Sequence, residues 1–173
     1  MGLSTKALSI LFLFSAFFVV CLFSIQLYFP CKYCDDVKAY AEIYKVPEEL
    51  VYATIHTESK FDTNAVSAKG AIGLMQILPS TGAWIAQQIA YDTYEKEDLY
   101  NPQINIQFGC YYLSYLLNKF ESEALAICAY NAGEGEVVKW LQNETFNTNS
   151  IPYKETKNYL KRVQFAKKIY NLY

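Results

Sequence analysis

The hydrophobic and polar positions divide the chain into one long apolar run near the N-terminus and a series of shorter amphipathic segments after it. Residues 7–29, ALSILFLFSAFFVVCLFSIQLYF, contain no charged side chain. A helix rises about 1.5 Å per residue, so a run of this length can cross a hydrocarbon core of about 30 Å. The run therefore predicts a transmembrane helix.

The flanks of this run indicate how it would sit in a membrane. No small-x-small cleavage site follows it in LYFPCKYC, which favours an uncleaved signal anchor over a removed signal peptide. Lys6 precedes the run, and the positive-inside rule then keeps residues 1–6 in the cytoplasm and places the remainder outside. Lys32 and Lys38, at the other end, weigh against this orientation.

The rest of the chain shows the spacing of amphipathic helices. Apolar residues recur every three or four positions, and no run outside the apolar segment alternates convincingly as a strand. Proline and glycine punctuate the pattern where helices are expected to begin or end. We predict a mostly α domain with helices at 34–45, 47–59, 79–90, 103–120, 122–129, 136–141 and 153–172.

Glu58 stands out at the C-terminal end of the second of these helices. It follows Ile55 by three residues and Val51 by seven, so it continues the apolar stripe of the helix. Burial disfavours a charged carboxylate and raises its pKa, which would keep Glu58 protonated near neutrality and able to donate a proton. The alternative is a helix-end glutamate turned to solvent or held by Lys60.

The segment after this helix, residues 61–73, has neither helical nor strand periodicity. Gly70 and Gly73 allow backbone conformations and close approaches that other residues do not. We therefore predict a loop that folds against the helix end. Asp62 is the nearest later acid, and we interpret it as an ordinary solvated carboxylate in this loop.

Composition excludes several classes of function. A formal net charge of −2 gives no electrostatic footprint for nucleic acid. With one histidine, His56, and a single CxxC at Cys31 and Cys34, a metal site is not expected, and no Walker or GxSxG element is present. No cofactor is required. A disulfide, a lipid on Cys31 and inert thiols all remain open for the CxxC.

Four separated segments carry a resemblance to a known family. They are ESKF at Glu58, GAIGLMQ ending at Gln76, AYNAG beginning at Ala129, and IPYKETKNYL beginning at Ile151. In this order and spacing they resemble the motifs of the lytic transglycosylases of the soluble-lytic-transglycosylase (SLT) type. The resemblance implies a lysozyme-like α domain with a peptidoglycan groove over residues 37–173. The residues before it lie outside the resemblance, and we assign them to a cytoplasmic stub and transmembrane anchor, 1–29, and a juxtamembrane linker with the CxxC, 30–36.

The resemblance also implies roles for individual residues. By position, Glu58 matches the catalytic acid and base of the family. A local departure is Glu134, where relatives often have proline after AYNAG, and we expect it to affect loop stiffness more than chemistry. Considered without the other motifs, Tyr153 and Tyr159 are interpreted as packing residues on one face of the last helix. The implied substrate-binding residues are Ser67, at the N-acetyl group, Met75 and Gln76, beside the glutamate, Tyr130 and Asn131, around the intermediate, and Glu155, a second acid.

The implied reaction cleaves the bond between N-acetylmuramic acid and N-acetylglucosamine with one carboxyl group. Glu58 protonates the glycosidic oxygen, the substrate's acetamido carbonyl stabilises the sugar cation, and ionised Glu58 deprotonates the C6 hydroxyl that attacks C1. The product is a 1,6-anhydromuramic end. Two alternatives remain: a hydrolytic muramidase, which normally needs a second carboxylate, and a wall-binding or scaffold module without catalysis.

The expected partners follow from the same reasoning. They are the glycan strands of peptidoglycan and the cytoplasmic membrane, the latter through residues 7–29. The domain is expected on the cell-wall side of a bacterial membrane. Wall-spanning or secretion machinery is a further candidate partner, and the process served is left open among wall remodelling, spore formation and local wall clearance.

Overall fold

The computed structural model describes residues 5–143 and 146–172. The chain divides into two compact units, Met1–Lys32 and Tyr33–Tyr173. The first unit contains one helix and the second contains the remaining elements.

The first unit is dominated by helix α1, Thr5–Tyr28. Its segment Leu11–Tyr28 has a mean hydropathy of 2.2 and is long enough to cross a membrane by length and composition. The large apolar side chains described along it are exposed, Phe12 at 72% and Phe14 at 70%. The predicted helix is therefore present, and its insertion into a membrane stays a prediction.

The second unit is built from helices. Among the described residues no β-strand occurs, and the only β pairing is two isolated bridges, Val66 with Ile72 and Ile72 with Ile77. The mostly α fold class is confirmed. The helices are α2 (Cys34–Tyr44), α3 (Glu48–Glu58), α4 (Pro79–Gln88), α5 (Pro102–Phe120), α6 (Glu123–Ala132), α7 (Glu134–Leu141) and α8 (Lys154–Tyr170), with short 3-10 helices at Lys96–Tyr100 and Thr148–Ser150.

Helix α3 lies in the core of this unit and packs chiefly against α8. Its residues from Leu50 to His56 are all buried, with Leu50, Val51 and Ile55 at 0% exposure. Burying an aliphatic side chain of this size contributes about 1.5–3 kcal/mol. The helix that carries Glu58 is consequently held on every side by packed neighbours.

Local signals in the sequence explain where the helices begin. Pro47 immediately precedes α3, and Glu48 and Glu49 in its first turn complement the positive end of the helix dipole. At the start of α5 the Asn101 side chain accepts hydrogen bonds from the backbone N–H groups of Gln103, at 2.9 Å, and Ile104, at 3.3 Å. The first residues of α3 and α5, Glu48 and Pro102, therefore lie within one residue of the predicted helix starts at 47 and 103.

The structure corrects three details around the shorter helices. Helix α6 continues to Ala132 instead of Ala129, because the N–H of Gly133 still bonds to the Ala129 carbonyl at 2.9 Å. Gly133, with φ of 89°, separates α6 from α7, which begins at Glu134 and not at Glu136. The link before α5 contains the unpredicted 3-10 helix.

Candidate active site

Glu58, the last residue of α3, is half-buried and has a defined hydrogen-bond partner. The hydroxyl of Tyr159 on α8 donates to Glu58 Oε1 at 2.6 Å. Burial raises the pKa of Glu58 to about 7, against the opposing effects of the Tyr159 bond and the nearby Arg162 charge. The predicted rise in pKa is confirmed, and Glu58 can exist in either protonation state near neutrality.

The loop that follows Glu58 folds back against the end of α3, as predicted. Ser59 Oγ donates to the Leu74 carbonyl at 2.8 Å, which ties the helix end to the far side of the loop. Gly73 adopts φ of +78°, and a Cβ there would stand 2.4 Å from the Leu99 carbonyl oxygen. Only glycine fits this close approach without displacing the backbone.

Asn105 on α5 anchors the same loop and was not identified from the sequence. It is 0% exposed. Its Oδ1 accepts the Met75 N–H at 2.8 Å, and its Nδ2 donates to the carbonyls of Ile72, at 2.9 Å, and Leu99, at 2.7 Å. The sequence feature that could have identified Asn105 is that a polar residue stands next to Ile106 among the apolar positions of this helix. Because a buried amide must be satisfied, this position fixes the loop backbone.

An open cleft of about 310 Å³ lies beside Glu58. The loop after α3, the end of α6 and the start of α8 all contribute to its wall. The structure thus brings together residues from all four sequence motifs. Of the predicted site residues, the cleft is lined by Glu58, Ser67, Gln76, Tyr130, Asn131 and Glu155.

Two of these lining residues are held by the loop itself. Ser67 Oγ accepts the Ala71 N–H at 3.0 Å. Gln76 has φ of 49°, and its Nε2 donates to the carbonyls of Ala65, at 3.0 Å, and Gly73, at 2.9 Å. The two bonds from one amide nitrogen fix the orientation of the Gln76 side chain at the cleft wall.

Met75 differs from its neighbours because its side chain points away from the cleft. It is 0% exposed, and its sulfur occupies the space where a Cβ at Gly109 would stand. The expected groove side chain is therefore part of the core. The Met75 backbone does take part, since its carbonyl accepts the Tyr130 hydroxyl at 2.8 Å.

Tyr130 and Asn131 lie in the last turn of α6, and both line the cleft. Burial, followed by the nearby Glu58 charge, raises the pKa of Tyr130 well above its usual value, so its hydroxyl stays protonated. The Thr156 hydroxyl donates to Asn131 Oδ1 at 2.9 Å and orients its carboxamide. Glu155, next to Thr156 at the start of α8, is exposed.

The sequence reasoning missed Tyr159, which was interpreted as part of a packing stripe. It is 2% exposed, yet it makes the direct bond to Glu58. The Arg162 guanidinium lies 5.8 Å from the centre of its ring. The available signal was its place in the IPYKETKNYL motif, four residues after Glu155. Helical spacing alone cannot separate a buried packing tyrosine from one whose hydroxyl serves a site.

His56, Cys110 and Cys128 are not among the residues that line the cleft. His56 is 9% exposed and packs edge-on against the rings of Phe61 and Tyr170, and burial lowers its pKa. Cys110 and Cys128 are buried, and burial raises the pKa of each thiol. Within the part of the chain that the structure describes, no three His, Cys, Asp or Glu residues are grouped to hold a metal ion.

The fold and the site together define a lysozyme-like α domain in which a half-buried glutamate, Glu58, with a pKa raised to about 7 lines an open cleft. The chain belongs to the Transglycosylase SLT domain family, whose family model matches residues 35–151. The family expected from the four motifs is therefore confirmed.

Individual relatives agree with this assignment. A soluble lytic murein transglycosylase of Escherichia coli (strain K12) is 34% identical over 143 residues, covering 78% of this chain and 22% of the relative. A membrane-bound lytic murein transglycosylase C of Actinobacillus pleuropneumoniae serotype 5b is 30% identical over 166 residues, covering 80% of this chain and 46% of the relative. The chain thus spans less than half the length of either relative.

Solved structures show the same likeness in three dimensions. The 70 kDa soluble lytic transglycosylase of Escherichia coli superposes with a TM-score of 0.80 at 31% identity, covering 86% of this chain and 25% of that chain. An inactive mutant of the lytic transglycosylase Slt from Pseudomonas aeruginosa gives 0.80 at 29% identity, with the same shares covered. The likeness is therefore to one region of these larger proteins.

Proposed function

We propose that this protein is a peptidoglycan lytic transglycosylase that cleaves the β-1,4 bond between N-acetylmuramic acid and N-acetylglucosamine without water. The proposal depends on the position of Glu58 at the wall of an open cleft. There burial raises its pKa to about 7, and the Tyr159 hydroxyl bonds to its carboxyl group. The names of the relatives support the substrate class, since they are lytic murein transglycosylases.

The first step is proton donation by Glu58. A pKa of about 7 leaves protonated and ionised forms in comparable amounts near neutrality, which suits a group that must act as acid and then as base. Tyr159 bonds to Oε1, so we assign proton transfer to Oε2. The proton passes to the glycosidic oxygen, the C1–O4 bond breaks, and the N-acetylglucosamine side leaves with a free 4-hydroxyl.

The second step closes the ring of the anhydro product. The acetamido carbonyl of N-acetylmuramic acid stabilises the positive charge at C1, and ionised Glu58 takes the proton of the C6 hydroxyl. The C6 oxygen then bonds to C1, giving the 1,6-anhydromuramic end and restoring protonated Glu58. No water is consumed, and proximity of the two groups within one sugar replaces activation of a solvent nucleophile.

The positions of the other acids support this one-carboxyl scheme over a hydrolytic muramidase. Asp62 is exposed, accepts the Asn64 N–H at 2.9 Å and is not among the cleft-lining residues. Glu155 lines the cleft but is exposed at the start of α8. We assign Glu155 to substrate binding because it lines the cleft and makes no described hydrogen bond to Glu58, whose partner is Tyr159.

We assign the remaining cleft residues to sugar binding. Ser67 and Gln76 line the cleft from the loop, and Tyr130 and Asn131 line it from the end of α6. Hydroxyl and amide groups of this kind hydrogen-bond to the hydroxyl and N-acetyl groups of a sugar. Met75 contributes through its backbone carbonyl, which holds the Tyr130 hydroxyl.

We further propose that α1 anchors the enzyme in the bacterial cytoplasmic membrane, with the domain on the wall side. The apolar segment Leu11–Tyr28 supports this, and so does the membrane-bound relative. We retain the division into anchor (1–29), linker (30–36) and SLT domain (37–173). The two compact units divide between Lys32 and Tyr33, inside that linker. Wall-spanning or secretion machinery remains a candidate partner.

The test is a digest of purified peptidoglycan with the full-length chain in detergent, analysed by mass spectrometry. Anhydro products, lighter by one water than hydrolysed muropeptides and absent with Glu58→Gln, are the expected result. Reducing ends would identify a hydrolase instead. If the folded wild-type chain released nothing, the binding or scaffold module would replace the proposal.

A further inference from the structure

The last helix carries a large share of the positive charge of the chain. Six of the fifteen Lys and Arg residues lie in α8, against one of the seventeen acids, although the whole chain has a formal net charge of −2. Of these six, Arg162 acts on Glu58, whose ionised form it favours. The proposed reaction gives no role to the five lysines.

Most of these lysines share one face of α8. At 3.6 residues per turn, positions three or four residues apart lie on the same side of a helix. The side that packs on the domain holds Thr156, Tyr159, Leu160, Val163, Ala166 and Tyr170. The opposite side, which we call the basic face, holds Lys154, Lys157, Lys161, Phe165 and Lys168, with Leu172 in the turn that follows the helix.

The basic face itself contains no acidic residue. Glu155, the one acid of the helix, lines the cleft. On the neighbouring helices, Glu49 and Glu123 share a cavity of about 420 Å³ with Lys168, but both pair with Lys167, at 3.9 Å and 2.6 Å. The positive charge of the basic face is therefore not neutralised by these three acids.

Three of the lysines on this face are exposed and keep their charge available. Lys154, Lys161 and Lys168 are all exposed to solvent. Within residues 5–143 and 146–172, none of the three takes part in an ion pair. The face consequently presents a row of cations along the length of α8.

Two large apolar side chains stand among the lysines. Phe165 is 61% exposed and Leu172 is 79% exposed. Each follows a lysine by four residues, Lys161 and Lys168 respectively, so apolar and cationic side chains are neighbours on the face. A hydrated polyanion would leave the apolar side chains in water, whereas the headgroup region of a bilayer accepts both kinds of side chain. The pattern therefore favours an anionic lipid surface.

We propose that the basic face of α8 docks the SLT domain onto an anionic phospholipid surface. The inference rests on the proposed function only for the anchor, since α1 would keep the domain near such a surface. The lysines meet the lipid phosphates, while Phe165 and Leu172 enter the headgroup region. No residue of the basic face lines the cleft. Docking thus holds the cleft in one orientation, within the reach of the linker, without occupying it.

The chemical reactivity of the lysines measures docking directly. The full-length chain is reconstituted into liposomes of phosphatidylcholine alone or mixed with phosphatidylglycerol, and outward-facing domains are acylated with a membrane-impermeant reagent. Mass spectrometry follows each lysine. We expect Lys154, Lys161 and Lys168 to react about fivefold more slowly on the anionic liposomes, the factor expected for one lysine at such a surface. Lys69 and Lys96, which are exposed elsewhere, should react equally on both.

Salt and two matched variants test the cause of this protection. High salt should restore the reactivity, because it screens the charges. Lys161→Glu should remove most of the protection at Lys154 and Lys168, whereas Lys96→Glu, with the same change in net charge, should keep it. Phe165→Ser should also lower the protection if the ring enters the headgroup region. Circular dichroism confirms that each variant is folded.

The outcomes separate this inference from the proposed function. Equal reactivity on the two kinds of liposome would overturn the docking, and the peptidoglycan digest decides independently whether the enzyme assignment stands. Protection that is the same on both lipids and insensitive to salt would overturn it as well, since charge would not be its cause. If soluble polyphosphate protects the three lysines and anionic liposomes do not, the face binds a polyanion and the lipid assignment is wrong.

Discussion

At the scale of single residues, the site depends on opposing effects upon Glu58. Burial favours the protonated form, whereas the Tyr159 bond and the Arg162 charge favour the ionised form. A fully desolvated carboxyl would be a poor base, and a solvated one would be a poor acid. The balance near neutrality allows one residue to serve both steps.

Removing the Tyr159 hydroxyl should shift this balance toward the protonated form. In Tyr159→Phe the pKa of Glu58 rises, and the pH profile of kcat moves to higher pH. We expect kcat at neutral pH to fall by about tenfold, because a hydrogen bond to a charged group contributes about 1.5–3 kcal/mol. Tyr153→Phe is the control, since the Tyr153 hydroxyl bonds to Glu136. An unshifted profile in Tyr159→Phe would assign Tyr159 a packing role only.

The raised pKa of Glu58 also predicts how stability depends on pH. Between about 4.5 and about 7 the folded state holds a proton that the unfolded state has released, so stability falls as pH rises. Glu58→Gln removes this loss. Relative to wild type it should gain up to about 3 kcal/mol from pH 4 to pH 8, measured by urea unfolding. An equal stability difference at both pH values would contradict burial as the cause.

At the scale of elements, the loop after α3 is positioned by side chains far along the sequence. The Asn105 side chain on α5 makes two hydrogen bonds to the loop backbone, at Ile72 and Met75, and a third to the Leu99 carbonyl. Ser59, at the end of α3, bonds to the Leu74 carbonyl at the far end of the loop. The cleft wall carrying Ser67 and Gln76 therefore depends on the packing of α5. The bond between Asn105 and Met75 joins residues that are thirty positions apart in the sequence, so a local sequence pattern does not predict it.

Replacing Asn105 with alanine should destabilise the domain and loosen the cleft. The change removes the Asn105 bonds to the Met75 N–H and the Leu99 carbonyl and one of the two bonds to the Ile72 carbonyl, which keeps the Ile77 N–H at 3.0 Å. Each buried group left unpaired costs about 1–3 kcal/mol. We expect a loss of about 3–5 kcal/mol in the free energy of unfolding, measured by urea denaturation. Asn118→Ala, at an exposed position of the same helix, is the matched control. Equal midpoints for the two variants would contradict the anchoring role.

The sequence predicted the helices well because their signals are local. Pro47 marks the start of α3 through its fixed backbone angle, which does not depend on the rest of the fold. The boundary between α6 and α7 was placed less well, because Gly133 ends α6 only after the Tyr130–Ala132 turn. The 3-10 helix at Lys96–Tyr100 was missed because no hydrophobic period develops over five residues. The motifs also located the cleft residues, but Met75 turned inward and Tyr159 reached Glu58 through tertiary packing that a one-dimensional pattern does not specify.

At the scale of the whole molecule, the chain combines an apolar helix with a domain whose proposed substrate is the cell wall. If α1 is an anchor, activity is confined to wall within reach of the membrane. The helix has the length and composition for this, with a mean hydropathy of 2.2 over Leu11–Tyr28. The linker would then determine how far the cleft extends from the membrane surface.

A charge in the middle of α1 should weaken membrane retention. Val19→Arg places a cation near the centre of the span, at a cost of about 2.5–3.5 kcal/mol on insertion scales. We expect more protein in the soluble fraction than for wild type or for the control, Val19→Leu, measured by quantitative immunoblotting after high-salt washing. A wild-type chain that washes off without detergent would contradict the anchor.

The most direct measurement of the central claim is to digest peptidoglycan in heavy-oxygen water and weigh the products. If Glu58 catalyses attack by the substrate's own C6 hydroxyl, the anhydro products contain no heavy oxygen, and Glu58→Gln forms none of them. Heavy oxygen at a reducing end of the muramic acid would show that water is the nucleophile, which would contradict the account.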